Sequence, residues 1–227
     1  MPALETTPRA NSAAIEDYAK AIYSLQPRSE GAVATNAVAE RLGVTPGSAS
    51  AMLRRLAELG YVRHSPYRGV QLTAAGERVA LEVIRHHRLL ELFLVRELGM
   101  GWDRVHDEAE VLEHVLSEEL EALIAAKLGE PDRDPHGDPI PTPDLELVEV
   151  ESAALDTLEA GASGRFVRVS DSDPAMLRYL SERGIAPGDA FTVVDRQPFG
   201  GPLFVRFGGD EVHVLGGALA ASMRVQA

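Results

Sequence analysis

Between Thr35 and Leu72 the hydrophobic pattern switches from helical to strand-like, with a turn signal at each change, and this stretch constrains the fold more than any other. Thr35 stands as a cap ahead of a short helix to Leu42, with Val38 and Leu42 on one face, and Gly43 closes it. Thr45-Pro46 pairs a capping residue with proline at the first helical position, where the missing N–H has no partner to lose. A second helix follows to about Leu59, carrying Met52, Leu53, Leu56 and Leu59, and stops at Gly60. Tyr61-Val62-Arg63 and Val70-Gln71-Leu72 then read as two short strands around a turn at His64 to Gly69.

Short helix, tight turn, second helix, hairpin is the order of a winged helix-turn-helix, whose second helix enters the major groove by its N-terminal residues. Here those are Thr45, Pro46, Ser48 and Ser50, small enough for close approach. Arg54 and Arg55 lie one turn further on, within reach of phosphate, and Arg63 and Arg68 sit on the wing. Few long side chains stand at the helix start, so specificity is expected from shape and van der Waals contact more than from Arg–guanine pairs. The competing reading is a helical pair used for packing alone. The net charge of -13 opposes nucleic-acid binding only as an average. From Glu40 to Arg88 there are eight Lys/Arg against four Asp/Glu, and from Leu89 to Ala160 four against twenty. A basic segment suited to phosphate is thus followed by an acidic one suited to cations, unless both are solvated faces.

The flanking sequence extends the plan. Ser12 to Leu25 reads as a capped helix with Ile15, Tyr18, Ala19 and Ile22 at helical spacing, broken by Pro27, Ser29 and Gly31. Thr73 begins a long helix with Val79, Val83, Leu90, Phe93 and Leu94 on its apolar side. After Gly99 and Gly101, helices are expected over about 102–116 and 117–128, then a Pro-rich linker over 134–143. From Arg165 to the end, Phe166-Val169, Phe191-Val194, Leu203-Phe207 and Val212-Leu215 alternate with Gly-rich turns, as in a small β-barrel or sandwich. The expected class is mostly α with small β, in three parts: a winged helix-turn-helix domain over 1–74, a helical metal-binding and dimerisation domain over 75–143, and a β domain over 144–227. No apolar run approaches the roughly 20 residues that span a bilayer. The start carries no secretory pattern, so a cytoplasmic location is expected. With no cysteine there are neither disulfides nor thiolate metal ligands.

The densest chemical pattern is His106-Asp107-Glu108-Ala109-Glu110-Val111-Leu112-Glu113-His114. On a helix Glu110, Glu113 and His114 share a face, and such groups converge at low cost only around a cation. Otherwise this is an exposed acidic face. His87 and Glu91 are i and i+4 on the preceding long helix, and Asp17 sits on the apolar-striped first helix, where packing gives a carboxylate no role. Asp17, His87, Glu110, Glu113 and His114 would make an oxygen-rich ligand set, better matched to Mn(II) or Fe(II) than to tetrahedral zinc.

The strings IEDYAKAIY, VTPGSASAMLRRLAELGYV, LTAAGERVA, HHRLLELFL, VHDEAEVLEHVLSEELE and DPHGDPIP resemble the diphtheria-toxin-repressor/iron-dependent-repressor family of metalloregulators. The likeness runs from about Ala14 through Pro141 and more weakly over the C-terminal part. It implies a winged helix, a helical dimerisation domain and a C-terminal SH3-like (FeoA-like) barrel. It puts Glu113 and His114 on ligands common to the family. Asp17 and Glu110 are carboxylates, as in the manganese-type branch, where the iron-type branch has Met and Cys. His87 matches a primary-site ligand of the manganese branch. Lys20 departs from it, standing where some members have a second glutamate. A secondary site is implied from Glu91, Asp134, His136 and Asp171, the DPHG string having Asp134 where relatives have Cys. The iron-type pattern would instead place His87, Glu91 and His106 there.

The resemblance implies a homodimer that represses manganese or iron uptake genes when Mn(II), or else Fe(II), is plentiful, by a metal favouring the state in which two reading heads match two half-sites of a double-stranded operator. Two rivals differ in class. A winged-helix regulator answering to an organic ligand, or to none, would leave Asp17, Glu110 and Glu113 as surface charges. A metallohydrolase would need a general base and an open coordination position, and Glu110-Val111-Leu112-Glu113-His114 is not a His-first zincin motif; no enzyme is expected.

Overall fold

The computed structural model describes residues 13–26, 31–65 and 69–227. Ser12, Pro27, Ser29 and Arg68, with the cap, break and wing-tip contact expected of them, lie outside the described residues. The chain divides into two compact units, one reaching Arg85 and including Pro143–Glu146, the other comprising His86–Thr142 and Leu147–Ala227.

The first unit holds α1 (Ala13–Leu25), α2 (Thr35–Arg41), α3 (Pro46–Glu58), β1 (Val62–Ser65), β2 (Gly69–Leu72) and the start of α4 (Ala74–Leu98). Its core is Ile15, Ile22, Val38, Leu53, Leu56, Val62, Val70 and Leu72, residues of the helical and strand periods read above, joined by Ala49 and their neighbours. The Thr45 side chain accepts from the Ser48 amide at 3.2 Å and Pro46 opens α3, as the sequence implied. Thr35 is not the cap of α2. It is the first helical residue, and Ala34 precedes it with no side-chain bond, so burial of Val38 and Ala39 holds this short helix. Between α2 and α3, Gly43 takes φ +63, a conformation that costs a side-chain-bearing residue about 1–2 kcal/mol. A third segment that the sequence did not reveal borders the β1–β2 hairpin: Val33 and Val70 exchange two backbone hydrogen bonds of 2.8 Å. Thr73 Oγ1 accepts from the Gly76 amide at 3.2 Å and donates to the Gly60 carbonyl at 2.7 Å, which fixes where α4 begins.

The second unit holds the rest of α4, α5 (Val105–Leu112), α6 (Glu118–Leu128) and a six-stranded antiparallel sheet in the order β3-β8-β4-β5-β6-β7. The strands are β3 (Ala153–Ala154), β4 (Ser163–Val169), β5 (Ala190–Arg196), β6 (Leu203–Phe207), β7 (Val212–Leu215) and β8 (Met223–Gln226); α7 (Pro174–Ser181) and α8 (Gly217–Ser222) lie between strands. Alternation of buried and open positions along β6 gives one face to a core of Phe166, Leu177, Leu180, Val193, Val205, Leu215 and Met223.

Two expectations are corrected here. The helix expected over 102–116 spans only Val105–Leu112; Glu113 is its C-cap, still in helical backbone at φ -58, ψ -29, and Ser117 caps α6 by accepting from the Leu120 amide at 3.3 Å. Two capping signals within five residues outcompeted the continuous apolar period. Nor is 134–143 a linker. Asp134, His136 and Ile140 are buried, and the Val169 amide at the end of β4 donates to the His136 carbonyl at 2.9 Å. Gly137, at φ +90, lies so close to β4 that an added Cβ would stand 2.0 Å from the Val167 carbonyl oxygen.

Gly137→Ala should therefore cost clearly more stability than Gly208→Ala, where φ is +63 but the space around the Cβ is open. The open position should lose about 1–2 kcal/mol from backbone conformation alone. Denaturant midpoints measure both, and equal losses would show that the loop does not dock on β4.

Candidate metal centre

The face of α4 that carries His87 and Glu91 supplies the centre of a buried polar cluster. Both are almost completely inaccessible to solvent, as is Glu113. His87 Nδ1 lies 2.5 Å from Glu113 Oε2; His87 Nε2 lies 3.0 Å from Glu91 Oε1 and 3.2 Å from His106 Nδ1. From α5, His106 Nδ1 is 3.5 Å from Glu91 Oε1 and 3.2 Å from Asp171 Oδ2, and its Nε2 is 3.7 Å from Glu110 Oε1. Asp171 follows β4, so the sheet delivers it. His136 Nδ1 approaches Glu91 Oε2 at 3.6 Å, and His114 Nε2 approaches Glu113 Oε1 at 3.6 Å.

Three groups of these residues bring one ligand atom each to within 4.8 Å of one another: His87, Glu91, His106 and Asp171; His87, Glu110 and Glu113; Glu91, Asp134 and His136. The sequence expectation that His87 belongs with one group only meets an imidazole placed between two. Asp17 lies on α1 in the first unit, half-buried.

The donor atoms fit a divalent cation. All are nitrogen or carboxylate oxygen, and Glu91 Oε1 is buried with no hydrogen-bond partner although His87 and His106 nitrogens stand 3.0 and 3.5 Å away. An unsatisfied buried carboxylate oxygen costs on the order of 1–3 kcal/mol or more, and a cation there would remove that cost. Asp134 is the exception. Its Oδ1 accepts from the His136 and Asp138 amides at 2.8 and 2.9 Å, and Oδ2 faces Arg88 Nε at 3.8 Å, so its carboxylate anchors the loop.

Protonation follows from the same contacts. Burial raises the Glu91 carboxyl, but bonding to His106, His136 and His87 outweighs it and holds the group well below the ordinary range. Asp171 is lowered too, His106 prevailing over burial. Asp134 is pushed up to about 7 by burial and by the charges of Asp138 and Glu91. Bonds to Asp171 and Glu91 push His106 up to about 10. For His136 burial works downward, but Glu91 and Asp134 win and bring it to about 9.

Two participants had no recognised signal. Trp102 offers its backbone carbonyl to His136 Nε2 at 2.8 Å and stacks its ring on that imidazole at 5.8 Å. A carbonyl leaves no mark in a sequence. His86, buried beside His87, meets Glu121 on α6 at 2.7 Å; the doubled histidine was the only clue.

In the first unit, Thr45, Pro46, Ser48, Arg54 and Arg55 are exposed along α3, Ser50 is half-buried, and Arg63 is exposed on β1. Thr45 already uses its hydroxyl oxygen in the cap. A reading helix with an open small-residue end, in a chain that also holds a carboxylate–imidazole cluster, defines a winged-helix DNA-binding protein with a metal-type centre.

The comparisons with known proteins make this specific. The iron dependent repressor N-terminal DNA binding domain matches residues 11–70, the iron dependent repressor metal binding and dimerisation domain residues 73–142, and the FeoA domain residues 153–227. The iron-dependent repressor IdeR of Mycobacterium leprae (strain TN) is 31% identical over 211 residues, covering 87% of this chain and 90% of the relative. The diphtheria toxin repressor of Corynebacterium glutamicum is 30% identical over 226 residues, covering 93% and 95%. Among solved structures, a manganese-dependent transcriptional repressor in complex with manganese is 45% identical at TM-score 0.84, covering 93% of this chain and 98% of that one. The manganese regulator SloR is 30% identical at TM-score 0.72, covering 93% and 97%. The chain belongs to the iron-dependent repressor family of metal-dependent transcriptional repressors.

At pH 7 His106 and His136 hold protons that a metal must displace. Metal binding at pH 7 should release protons, seen as binding heats that differ between buffers of unlike ionisation enthalpy. Affinity should climb until about pH 9–10 and then level. In the metal-free chain the raised values stabilise the fold fully below the ordinary 6.5, and this contribution is lost as pH rises through about 9–10. Buffer-independent heats would contradict the protonated rings.

Proposed function

We propose that this chain is a manganese-activated repressor of metal-uptake genes, with Fe(II) as the second candidate activator. The observation that carries the reading is the convergence of His87, Glu91, His106 and Asp171, each of which brings a ligand atom to within 4.8 Å of the others. Oxygen-rich donors without thiolate favour Mn(II) or Fe(II) over a tetrahedral zinc centre, and the neighbour at 45% identity is described as manganese-dependent. Asp17, His87, Glu110, Glu113 and His114 would hold a primary ion, and Glu91, His106, His136 and Asp171 a secondary one. His87 presents Nε2 to the secondary group, and Asp134 anchors the loop that carries His136. The ion supplies the positive charge that lets these carboxylates converge.

The functional division runs 1–74 for DNA reading, 75–143 for metal binding and dimerisation, and 144–227 for the sheet that delivers Asp171. DNA is contacted by Thr45, Pro46, Ser48, Ser50, Arg54, Arg55, Arg63 and Arg68, and the chain acts by binding its operator rather than by turning over a substrate. It works in the cytoplasm, where its DNA is; among the described residues no helix is long and apolar enough to cross a membrane. Dimerisation uses the exposed apolar side chains around α5 and α6: Val111 (70% exposed), Val115 (75%), Leu120 and Leu123 (61%). Such a concentration of open apolar surface marks an association face.

Fluorescence anisotropy on DNA from upstream of its own gene and of metal-transporter genes tests the reading. Binding should be weak in chelator and switch on with micromolar Mn(II), and Asp17→Ala should abolish the switch. Equally tight binding in chelator would favour the organic-ligand regulator. For the dimer, Val115→Glu with Leu123→Glu should halve the mass measured by light scattering; an unchanged mass would move the interface elsewhere.

A further inference from the structure

The imidazole of His136 is held at its edge and on its face by one residue, and that residue offers the centre no ligand. His136 Nε2 lies 2.8 Å from the Trp102 carbonyl oxygen, which only accepts, so Nε2 carries a hydrogen whether the ring is charged or neutral. The Trp102 indole stacks on the same ring, with centroids 5.8 Å apart and planes at 16°, an offset arrangement of the favoured kind. The hydrogen bond decides which nitrogen turns away from Glu91, and the stack sets the plane of the ring. Nδ1 remains as the atom of His136 that can offer a lone pair, and it faces Glu91 Oε2 at 3.6 Å.

The backbone of His136 is pinned separately. Its amide donates to Asp134 Oδ1 at 2.8 Å and its carbonyl accepts from the Val169 amide at 2.9 Å. Those bonds leave rotation of the side chain free, and Trp102 removes it. Trp102 in turn is held by the C-terminal sheet: it packs against the core that contains Phe166, Leu177 and Leu180, and the next residue, Asp103, pairs with Arg178 of α7 at 3.3 Å. The indole Nε1 is buried with no hydrogen-bond partner, so this position uses the ring as a flat surface and not as a donor.

We propose that Trp102 is a positioning residue that turns His136 so that Nδ1, and not Nε2, is its metal-binding atom. The sheet domain thereby orients a donor from the 134–140 loop as well as delivering Asp171. The inference rests on the metal-binding reading above. A ring already held in its binding orientation loses little freedom when an ion arrives, and groups that orient a ligand in this way typically contribute about tenfold or more to metal affinity.

Two measurements on the full chain test this. The first needs no metal: the Nε2–H proton of His136, observed by NMR on protein carrying 15N-histidine and assigned by its absence in His136→Ala. In a buried hydrogen bond it exchanges slowly with water and gives a signal. The signal should persist in Trp102→Phe, which keeps a flat ring and gives up no hydrogen bond, and vanish in Trp102→Leu. It should also survive loading with Zn(II), a diamagnetic probe, because the ion enters on Nδ1. The second measurement is Mn(II) binding, followed by the electron-spin-resonance signal of free Mn(II), in a Glu110→Ala/His114→Ala background that leaves the Glu91 group to be titrated alone. Trp102→Leu should weaken binding about tenfold and Trp102→Phe should leave it unchanged. With His136→Ala already present, Trp102→Leu should change nothing further. Should Trp102→Leu fail to fold, Trp102→Met takes its place in both measurements. A proton signal that outlasts Trp102→Leu, or that disappears on Zn(II) loading, overturns the proposal. So does a loss of Mn(II) affinity of equal size with and without His136, which marks a general weakening of the fold, or a Trp102→Phe variant as damaged as Trp102→Leu. A background chain that binds no Mn(II) would sink the metal reading of the Glu91 group, while the metal-free signal still decides the role of Trp102.

Discussion

The polar centre of the second unit is arranged around one buried charge, the carboxylate of Glu91 on α4. An ionised group so deeply placed loses hydration worth several kcal/mol and persists only with opposite charge and hydrogen bonds close by. Here the partners come from different stretches of chain: His87 from the same helix, His106 from α5, His136 from the loop after α6. Each partner is itself held, His106 by Asp171 beside β4 and His136 by the Trp102 carbonyl. The positions of α5, the 134–140 loop and the β4 end are thereby tied to the chemistry of one side chain. The apolar contacts of Leu89, Leu90, Leu92, Ala109, Leu116 and Ile124 supply bulk stability, but apolar burial is non-directional and does not choose which donors face Glu91.

The way this site was legible follows from which contacts are local. His87 and Glu91, or Glu110 and His114, share a helix face because of a fixed period, and any reader of spacing finds them. Thr45-Pro46 and Gly43 were equally readable, because capping and left-handed backbone are decided within a few residues. Asp171 was reached only by loose family resemblance, since no period relates the loop after β4 to α5. The 134–143 segment misled for a physical reason. Its prolines and polar residues are those of a solvated linker, yet Asp134 satisfies two amides of its own turn, and Gly137 permits an approach to β4 that no other residue allows. The helix expected to run from 102 to 116 failed because Ser117 and the turn at Glu113–Val115 close it locally, although the apolar period continues. In both of these segments a side-chain-to-backbone bond outweighed composition.

The segregation of charge gains its meaning in this light. A run with twenty acidic residues against four basic ones would repel itself if it were uniformly solvated and unpaired. Part of it is exposed, as Asp107, Glu108, Glu118 and Glu119 are, and in α6 three acids occupy the first turn, where the helix dipole favours them. Three of the twenty, Glu91, Glu113 and Asp134, are buried, and the histidines that offset them are the groups a metal would have to deprotonate. The metal-free cluster is thus held together by protons standing where an ion would act, so the same side chains serve structure in one state and ligation in the other.

That exchange bears on selectivity. Divalent ions of the first transition row bind nitrogen and oxygen sites with affinities that rise from manganese to copper whatever the protein does, so a manganese-responsive chain cannot discriminate by tightness alone. Discrimination has to reside in how many donors an ion engages. Zinc is content with four, and the His87, Glu91, His106 and Asp171 group already offers that number. Manganese and ferrous iron, which accept more donors, would draw on further carboxylates and on His136. If activation depends on completing the larger set, a tighter-binding ion that stops at four occupies the centre without organising it. A buried cluster with more donors than a tetrahedral ion needs, joined through shared residues such as His87 and Glu91, has the form that this separation of affinity from activation requires.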